Sequence, residues 1–167
     1  HASLQHASQY DPLTALPNRG LLFDRLRTSL ARARRNDEQM AVLFLDLDRF
    51  KEINDTHGHA TGDQLLREVA QRVRQCIREA DTVARIGGDE FVVLIESMQQ
   101  TDYATLVAEK IQAAVQRPMQ LASHTLHVQP SIGIAHYPHD GQSEQALLDH
   151  ADKSMYEEKQ RRKQASS

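Results

Sequence analysis

A chain of 167 residues, of which 40% are hydrophobic and 26% charged, has the size and composition of one globular domain. Its net charge of -3 excludes a generally basic surface for nucleic acid or for anionic membranes. A single cysteine, Cys76, excludes an internal disulfide and a cysteine-based zinc site, and is compatible with a reducing cytosol. The sequence contains no apolar run of membrane-spanning length and no secretory signal.

The chain begins with His1 rather than methionine, and its first ten residues are polar with little periodicity. We therefore expect residues 1–10 to be a linker or an expression remnant, and the domain to belong to a longer protein. A helix is predicted next, because a turn rich in proline and capping residues precedes a stripe of leucines at helical spacing. The turn covers residues 11–19, and the stripe consists of Leu22, Leu26 and Leu30.

An unbroken apolar run over residues 40–45 predicts a central strand that is buried on both faces. It ends in Asp46, Leu47 and Asp48. Carboxylates at the end of a buried strand are costly unless they are paired or bind a metal. Asp48 also fits the N-cap of a following helix, whereas Asp46 is still inside the strand. The pattern therefore indicates a metal site at this strand end.

The remaining periodicities predict an alternation of helices and strands that is typical of an α+β protein with a mainly antiparallel sheet. Pro130 inside the last strand predicts an edge position or a bulge. In chain order the predictions are a short helix over 49–57, a loop over 58–63, a long helix ending near 78–81, a hairpin over 82–95, a helix capped by Thr101 or Asp102 and stopped by Pro118, a short strand near Leu121, a strand over 125–137 and a helix capped by Ser143.

The hairpin contains a Gly87-Gly88 pair between two β-branched runs. Glycine tolerates positive φ, so the pair predicts a tight turn and leaves bare backbone above it. Asp89 and Glu90 follow at once, and acids beside bare backbone suit a divalent cation that carries phosphates. A Gly-Gly-Asp segment is most often only a turn, but the second acidic cluster at residues 46–48 favours chemistry.

With these segments in view, the sequence closely resembles the GGDEF family of diguanylate cyclases. The resemblance implies a palm-like sheet with a ferredoxin-like core, flanked by helices and bearing the GGDEF hairpin. It also implies a GGDEF domain over residues 11–163, followed by a tail over 164–167. The matching segments are 11–19, 43–48, 50–55, 58–59, 62–63, 85–91, 131–134 and 151–156.

The resemblance implies the condensation of two GTP into cyclic di-GMP with release of pyrophosphate. The expected cofactor is Mg²⁺, with Mn²⁺ as the alternative. A homodimer is expected, because each chain would bind one GTP. Bacterial signalling in the cytoplasm is implied, either alone or as the cytoplasmic part of a larger membrane protein. The implied metal ligands are Asp46, the Leu47 carbonyl, Asp89 and Glu90, with Asp89 as general base and Glu90 mainly on the metal, although the sequence does not separate these roles.

The implied guanine contacts fall on Asn54 and Asp63, whose amide and carboxylate match guanine's donors and acceptors. His59 lies between them, but a loop histidine is usually structural. Backbone groups of Phe50, Lys51, Gly87 and Gly88 are expected to bind phosphates, with Lys159 and Lys163. The family usually has Lys-x-x-Gly-Arg at the last helix, whereas this chain has Arg162 for the glycine and Lys163 for the arginine, which predicts weaker or rearranged phosphate binding.

Arg78 and Asp81 have the spacing of the family's inhibitory product site, although such a pair is usually only a surface ion pair. Arg32 is a candidate for a secondary arginine from a partner chain, and Arg85 is expected to orient an acid or a phosphate. Two alternatives remain open. One is a catalytically silent domain that binds GTP or cyclic di-GMP, and the other is a cyclase for a different nucleotide.

Overall fold

The computed structural model describes residues 8–100 and 102–165. Its helices are α1 (Arg19–Asn36), α2 (Phe50–His57), α3 (His59–Cys76), α4 (Tyr103–Gln116) and α5 (Glu144–Ala165). Its strands are β1 (Gln39–Leu47), β2 (Thr82–Arg85), β3 (Glu90–Met98), β4 (Met119–Leu121), β5 (His124–Leu126) and β6 (Pro130–Tyr137). A four-stranded antiparallel sheet has the order β2-β3-β1-β6, and β4 pairs with β5. The predicted α+β fold with a mainly antiparallel sheet is therefore confirmed.

Strand β1 lies inside the sheet, and its residues are divided between two hydrophobic cores. Successive side chains of a strand point to opposite faces, so alternate residues contact different helices. Met40, Val42 and Phe44 pack with α1 and α5, whereas Leu43 and Leu45 pack with α3 and α4. The predicted burial of this strand on both faces is confirmed, and the same alternation directs Asp46 toward the α1 and α5 side.

The predicted loop over residues 58–63 is wrong, because α3 already begins at His59. Gly58 has a φ of +92° and is the single residue between α2 and α3. Gly62 suggested a loop, but it lies inside the helix against Asn54 and Phe50 of α2. The same helix ends at Cys76 rather than near 78–81.

The predicted strand over residues 125–137 is also wrong, because the chain forms two separate strands there. Strand β5 pairs with β4, and β6 begins at Pro130 as an edge strand of the main sheet. Proline has no amide hydrogen, so the first position of an edge strand suits it. The predicted edge position is therefore confirmed.

The predicted helix caps have different outcomes. Ser143 Oγ accepts a hydrogen bond from the Ala146 amide at 3.1 Å, which confirms the cap of α5. Asp102 stands at the N-cap of α4 but makes no side-chain capping bond. Thr101 lies outside the described residues, as do residues 1–7 of the predicted linker and 166–167 of the tail.

Candidate active site

Three carboxylates meet where β1 ends and β3 begins. Asp46 is the register partner of Glu90 in the antiparallel pair, and directly opposed residues project to the same face. The Leu47 amide donates a hydrogen bond to the Asp89 carbonyl at 3.3 Å, which ties the Gly-Gly loop to the end of β1. The pairing of the strands therefore brings together acids that are more than 40 positions apart in the sequence.

The electrostatics of this cluster show an excess of negative charge. Burial, a hydrogen bond with Asp46 and the charge of Asp46 together raise the pKa of Asp89 to about 7. Burial, followed by the charges of Asp46 and Asp152, also raises the pKa of Glu90. Lys159 of α5 compensates part of this charge, because its Nζ lies 3.0 Å from Asp46 Oδ2.

The donor set of the cluster fits a hard divalent cation. Asp46 Oδ1 is buried and receives no hydrogen bond, so this oxygen can act as a metal ligand. Carboxylate and carbonyl oxygens are the groups that Mg²⁺ prefers. Among residues 8–100 and 102–165, no three His, Cys, Asp or Glu side chains already have the arrangement of a metal centre. Binding an ion here therefore requires reorientation of the acidic side chains.

Close approach of a side chain, rather than an unusual turn, accounts for Gly87 in the Gly-Gly loop. Neither Gly87 nor Gly88 has a φ in the left-handed region, so the predicted reason for the pair is wrong. A Cβ at Gly87 would lie 2.5 Å from Glu90 Oε1, so only glycine lets that carboxylate fold against the loop. A Cβ at Gly88 would meet nothing within 4 Å, which leaves this backbone open to a ligand.

Arg85 fixes the position of this loop. Its Nε donates to the Gly88 carbonyl at 3.0 Å, and its Nη1 lies 2.9 Å from Asp11 Oδ1. Asp11 also accepts hydrogen bonds from the amide and the hydroxyl of Thr14. Sequence reasoning missed Asp11 as the partner of Arg85. Its place before a Pro-Leu-Thr turn indicated only local capping.

The groove between α2 and α3 contains the residues predicted to contact guanine. Asn54 of α2 lies against Gly62 of α3, where a Cβ would come within 1.8 Å of Asn54 Oδ1. That oxygen is buried and has no hydrogen-bond partner. His59 and Asp63 are exposed and lie with Gly62 on one face of α3, at i, i+3 and i+4. The α2–α3 groove therefore combines a buried amide oxygen without a hydrogen-bond partner and an exposed carboxylate.

The N-terminus of α2 faces solvent without a side-chain cap. Arg49, at the N-cap, has a φ of +60°, and no side chain caps the backbone amides that follow it. Phe50 and Lys51 therefore begin the helix with open N–H groups, which are an anion-binding arrangement. A cavity of about 930 Å³ lies beside this helix and the end of α5, and Lys159 and Lys163 contribute to its wall.

Arg162, which replaces the family's usual glycine, fills its position with a side chain that contacts β1 and β6. Its Nη1 lies 3.5 Å from Asp48 Oδ2 and donates to the Pro130 carbonyl. Asp48 also accepts a hydrogen bond from Ser131 Oγ at 2.8 Å. Arg162 therefore fastens the last turns of α5 to the ends of β1 and β6, close to Lys159.

The predicted inhibitory pair lies at the opposite end of the β2–β3 hairpin. The Asp81 side chain is 0% exposed and accepts three hydrogen bonds from Arg78 and one from the Glu96 amide. Arg32 Nη2 lies 3.1 Å from Glu96 Oε1. The three predicted residues therefore surround Glu96 within one chain.

Comparison with known proteins agrees with this geometry. The protein family described as diguanylate cyclase, GGDEF domain, matches residues 8–165. The bifunctional diguanylate cyclase/cyclic di-GMP phosphodiesterase MucR of Pseudomonas aeruginosa is 51% identical over 90% of this chain and 22% of its own length. Diguanylate cyclase TpbB of the same species is 46% identical over 93% of this chain and 36% of its own.

Solved structures show the same architecture. The GGDEF domain of TpbB, also named YfiN, superposes with a TM-score of 0.89 at 46% identity, covering 91% of this chain and 89% of that one. DgcB of Caulobacter crescentus, solved in complex with cyclic di-GMP, has a TM-score of 0.86 at 27% identity, covering 95% and 84%.

This chain spans only 22 and 36% of the lengths of MucR and TpbB. No helix in the described part of the chain is both long enough and apolar enough to cross a bilayer. The family match extends over nearly all described residues and includes the acidic strand end, the Gly-Gly loop and the α2–α3 groove. The chain belongs to the GGDEF domain family of diguanylate cyclases.

Proposed function

We propose that this domain is a diguanylate cyclase that condenses two GTP into cyclic di-GMP and releases pyrophosphate. The observation that supports this most strongly is the juxtaposition of Asp46, Asp89 and Glu90 beside an open glycine backbone, with one buried carboxylate oxygen unpaired. Such a site suits a magnesium-bound triphosphate better than it suits a stable protein interior.

In the reaction, a ribose 3′-oxygen forms a bond to the α-phosphorus of the second GTP, and the bond from that phosphorus to the bridging oxygen breaks. We assign proton acceptance from the 3′-hydroxyl to Asp89, because its carboxylate lies against Asp46, beside the groups that would hold the ion. Asp46, Glu90 and the Leu47 carbonyl would hold Mg²⁺ or Mn²⁺. Bound there, the ion supplies charge neutralisation for the triphosphate and acidifies the hydroxyl.

Substrate binding would use both sides of α2. The open amides of Phe50 and Lys51 and the bare backbone of Gly87 and Gly88 are suited to phosphate oxygens, as are the ammonium groups of Lys159 and Lys163. Guanine would enter the α2–α3 groove, where Asn54 Oδ1 accepts a hydrogen bond and the Asp63 carboxylate accepts two more. His59 would line the rim of this groove.

Catalysis requires two chains, because each GTP supplies a hydroxyl to the other and one chain has one such site. A two-fold homodimer places two identical half-sites face to face. Product feedback at Arg78, Asp81 and Arg32 belongs to the same proposal. The product would have to compete with Asp81 for the Arg78 guanidinium, whose side chain is 43% exposed.

The test is direct product identification. Purified domain, with its dimeric fraction isolated, is incubated with GTP or with ATP in the presence of Mg²⁺, and products are resolved by chromatography and mass spectrometry. We expect cyclic di-GMP and pyrophosphate from GTP alone. Tight GTP binding without turnover by the dimer would instead support a silent regulatory domain, and turnover of ATP would support a different cyclase.

The matched control is Glu109→Gln. Glu109 is an exposed glutamate of α4 that is outside the acidic cluster. Glu90→Gln removes the same charge within the cluster. We expect Glu109→Gln to retain activity and Glu90→Gln to lose it, and equal activity of the two variants would contradict the assigned site.

A further inference from the structure

Glu96 lies in a bulge of β3, at the end of the hairpin that contains Arg78 and Asp81. In the register of β1 against β3, one residue of β1, Met40, lies opposite two residues of β3, Glu96 and Ser97. Ser97 has a φ of +51°, in the left-handed region that residues other than glycine seldom adopt. A bulge changes the direction in which a strand presents its side chains. The irregular backbone therefore gives Glu96 a position that a regular strand would not provide.

Both arginines of the predicted inhibitory site contact Glu96. Arg32 Nη2 lies 3.1 Å from Glu96 Oε1, and Ser29 Oγ donates to the same oxygen at 2.5 Å. Arg78 donates to the Glu96 carbonyl, and the Glu96 amide donates to Asp81 Oδ1 at 3.2 Å. The Glu96 side chain is only 17% exposed. This one residue therefore uses its carboxylate, its carbonyl and its amide to hold both arginines and the acid in place.

Arg32 is neutralised but not fully hydrogen-bonded in this arrangement. Its Nη2 donates to Ser97 Oγ at 2.8 Å, and its Nε lies 3.4 Å from Glu38 Oε1. The Nε atom is nevertheless buried without a hydrogen-bond partner, while the side chain as a whole is 42% exposed. A guanidinium group has its best geometry with an anion that accepts two parallel hydrogen bonds, such as a phosphate. Arg32 therefore has an unused donor that a phosphate oxygen would satisfy.

The cavity beside this contact has an acidic wall. Its volume is about 440 Å³, and its acidic side chains are Asp24, Glu79, Asp81 and Glu96. Arg25 is the one basic residue on this wall among those that the structure describes, and neither Arg32 nor Arg78 reaches the cavity. A ligand with phosphate groups would be repelled by such a wall unless the two arginines turned toward it. The observed arrangement is therefore closed to an anionic ligand.

We propose that Glu96 is an internal counter-ion that occupies Arg32 in place of a phosphate group of cyclic di-GMP, and thereby sets the product concentration at which feedback begins. This inference rests on the proposed function, which assigns product binding to Arg78, Asp81 and Arg32. Arg32 has to exchange the Glu96 carboxylate for a product phosphate, so the apparent affinity for product falls with the fraction of chains in which Arg32 is free. Glu96 is a positioning residue, because it acts through Arg32.

The experiment is isothermal titration of the domain with synthetic cyclic di-GMP in the absence of GTP. Glu96→Gln removes the charge but keeps an acceptor oxygen for Ser29, so the variant is expected to fold. We expect its affinity for cyclic di-GMP to be about fivefold higher than that of the unmodified domain. Arg32→Ala should weaken binding, and adding Glu96→Gln to Arg32→Ala should give no further gain, because the two residues act as one pair.

Glu79→Gln is the matched control. Glu79 is exposed and lies on the same cavity wall, so the variant removes the same charge without releasing Arg32. We expect its affinity to change by less than about twofold, because exposed charges are screened by salt.

A gain in Glu96→Gln that disappears in the Arg32→Ala background supports the inference. The inference is overturned if Glu96→Gln binds no better than the unmodified domain, including the case in which neither binds. It is also overturned if the gain persists without Arg32 or is equalled by Glu79→Gln. The titration needs no GTP turnover, so its result is distinguishable from a failure of the proposed cyclase activity.

Discussion

Asp46 and Asp81 are both acids with little exposure at a strand end, but their hydrogen-bond partners and neighbouring charges differ. Every oxygen of Asp81 accepts a hydrogen bond, and its charge is matched by Arg78. Asp46 has one basic partner, Lys159, its buried Oδ1 receives no hydrogen bond from a donor in the described residues, and it lies beside two further acids. A satisfied buried carboxylate stabilises a fold, whereas an unsatisfied one among like charges suits the proposed cation.

The two acids also mark the two ends of one hairpin. The Asp81 end is a closed network that includes Arg32 and Glu96, and product binding would have to open it. The end with Glu90 presents the open backbone of Gly88 and several acidic side chains. The stabilising network and the proposed chemistry therefore lie at different ends of β2 and β3, and variants at each end should have separable effects.

The largest effect is expected for Asp46→Asn and Glu90→Gln. Each variant removes one negative charge from the proposed metal site, and the proposed cyclase activity should fall by about 100-fold. The free energy of unfolding should stay the same or rise, because repulsion among the acids is relieved. Chromatographic product assays and urea denaturation measure the two quantities. Full activity together with a lower free energy of unfolding would mean that these acids are structural, as Asp81 is, and not catalytic.

At the opposite end, Asp81→Asn should destabilise the fold. The change leaves Arg78 without its charged partner and disrupts the bond to the Glu96 amide. We expect a loss of about 2–3 kcal/mol in the free energy of unfolding, less than for a fully buried pair because Arg78 is partly exposed. Urea denaturation monitored by circular dichroism checks this value. A loss below about 0.5 kcal/mol would mean that the network is not structural.

The metal-free domain should become less stable as pH rises. The pKa of Asp89 is raised from 3.8 to about 7 in the folded state, so protonated Asp89 favours folding. That contribution is complete below pH 3.8 and is lost as the pH passes through about 7. Thermal unfolding in EDTA between these values measures the decline.

Two variants sharpen the pH prediction. Asp89→Asn cannot ionise and should flatten this part of the profile, whereas the control Glu109→Gln should leave it unchanged. Adding Mg²⁺ near pH 8 should restore the lost Tm, because the ion binds the ionised cluster of the folded state. A profile that is the same for Asp89→Asn and the unmodified domain would exclude Asp89 as its source.

The smallest effect is expected for Arg162→Gly, which restores the family's usual residue. It removes the contacts with Asp48 and with the Pro130 carbonyl and adds the cost of glycine in a helix, together about 1.5–2 kcal/mol. Arg161→Gly is the control, because Arg161 is 69% exposed and contacts Glu158 of its own helix. The difference in Tm between the two variants measures what the contacts of Arg162 with Asp48 and with the Pro130 carbonyl contribute together. Equal Tm values for the two variants would show that Arg162 does not stabilise the position of α5.

Local patterns in the sequence predicted much of this protein. The apolar run over residues 40–45 predicted β1, and the stripe of Leu22, Leu26 and Leu30 predicted α1, because burial imposes these periodicities directly. Pro130 predicted an edge position because proline has no amide hydrogen to donate to a neighbouring strand. The loop at 58–63 was predicted wrongly because Gly62, which suggested a break, is required by contact with Asn54.

By itself the sequence determined the family, the α+β fold and the identity of the acids, since motif order and periodicity are properties of the chain. Only the tertiary structure decided which acids are satisfied. The register of β1 against β3 pairs Asp46 with Glu90, and the packing of α5 brings Lys159, Arg162 and His150 to their partners. These contacts join residues up to 114 positions apart, and spacing along the chain holds no information about distances set by packing.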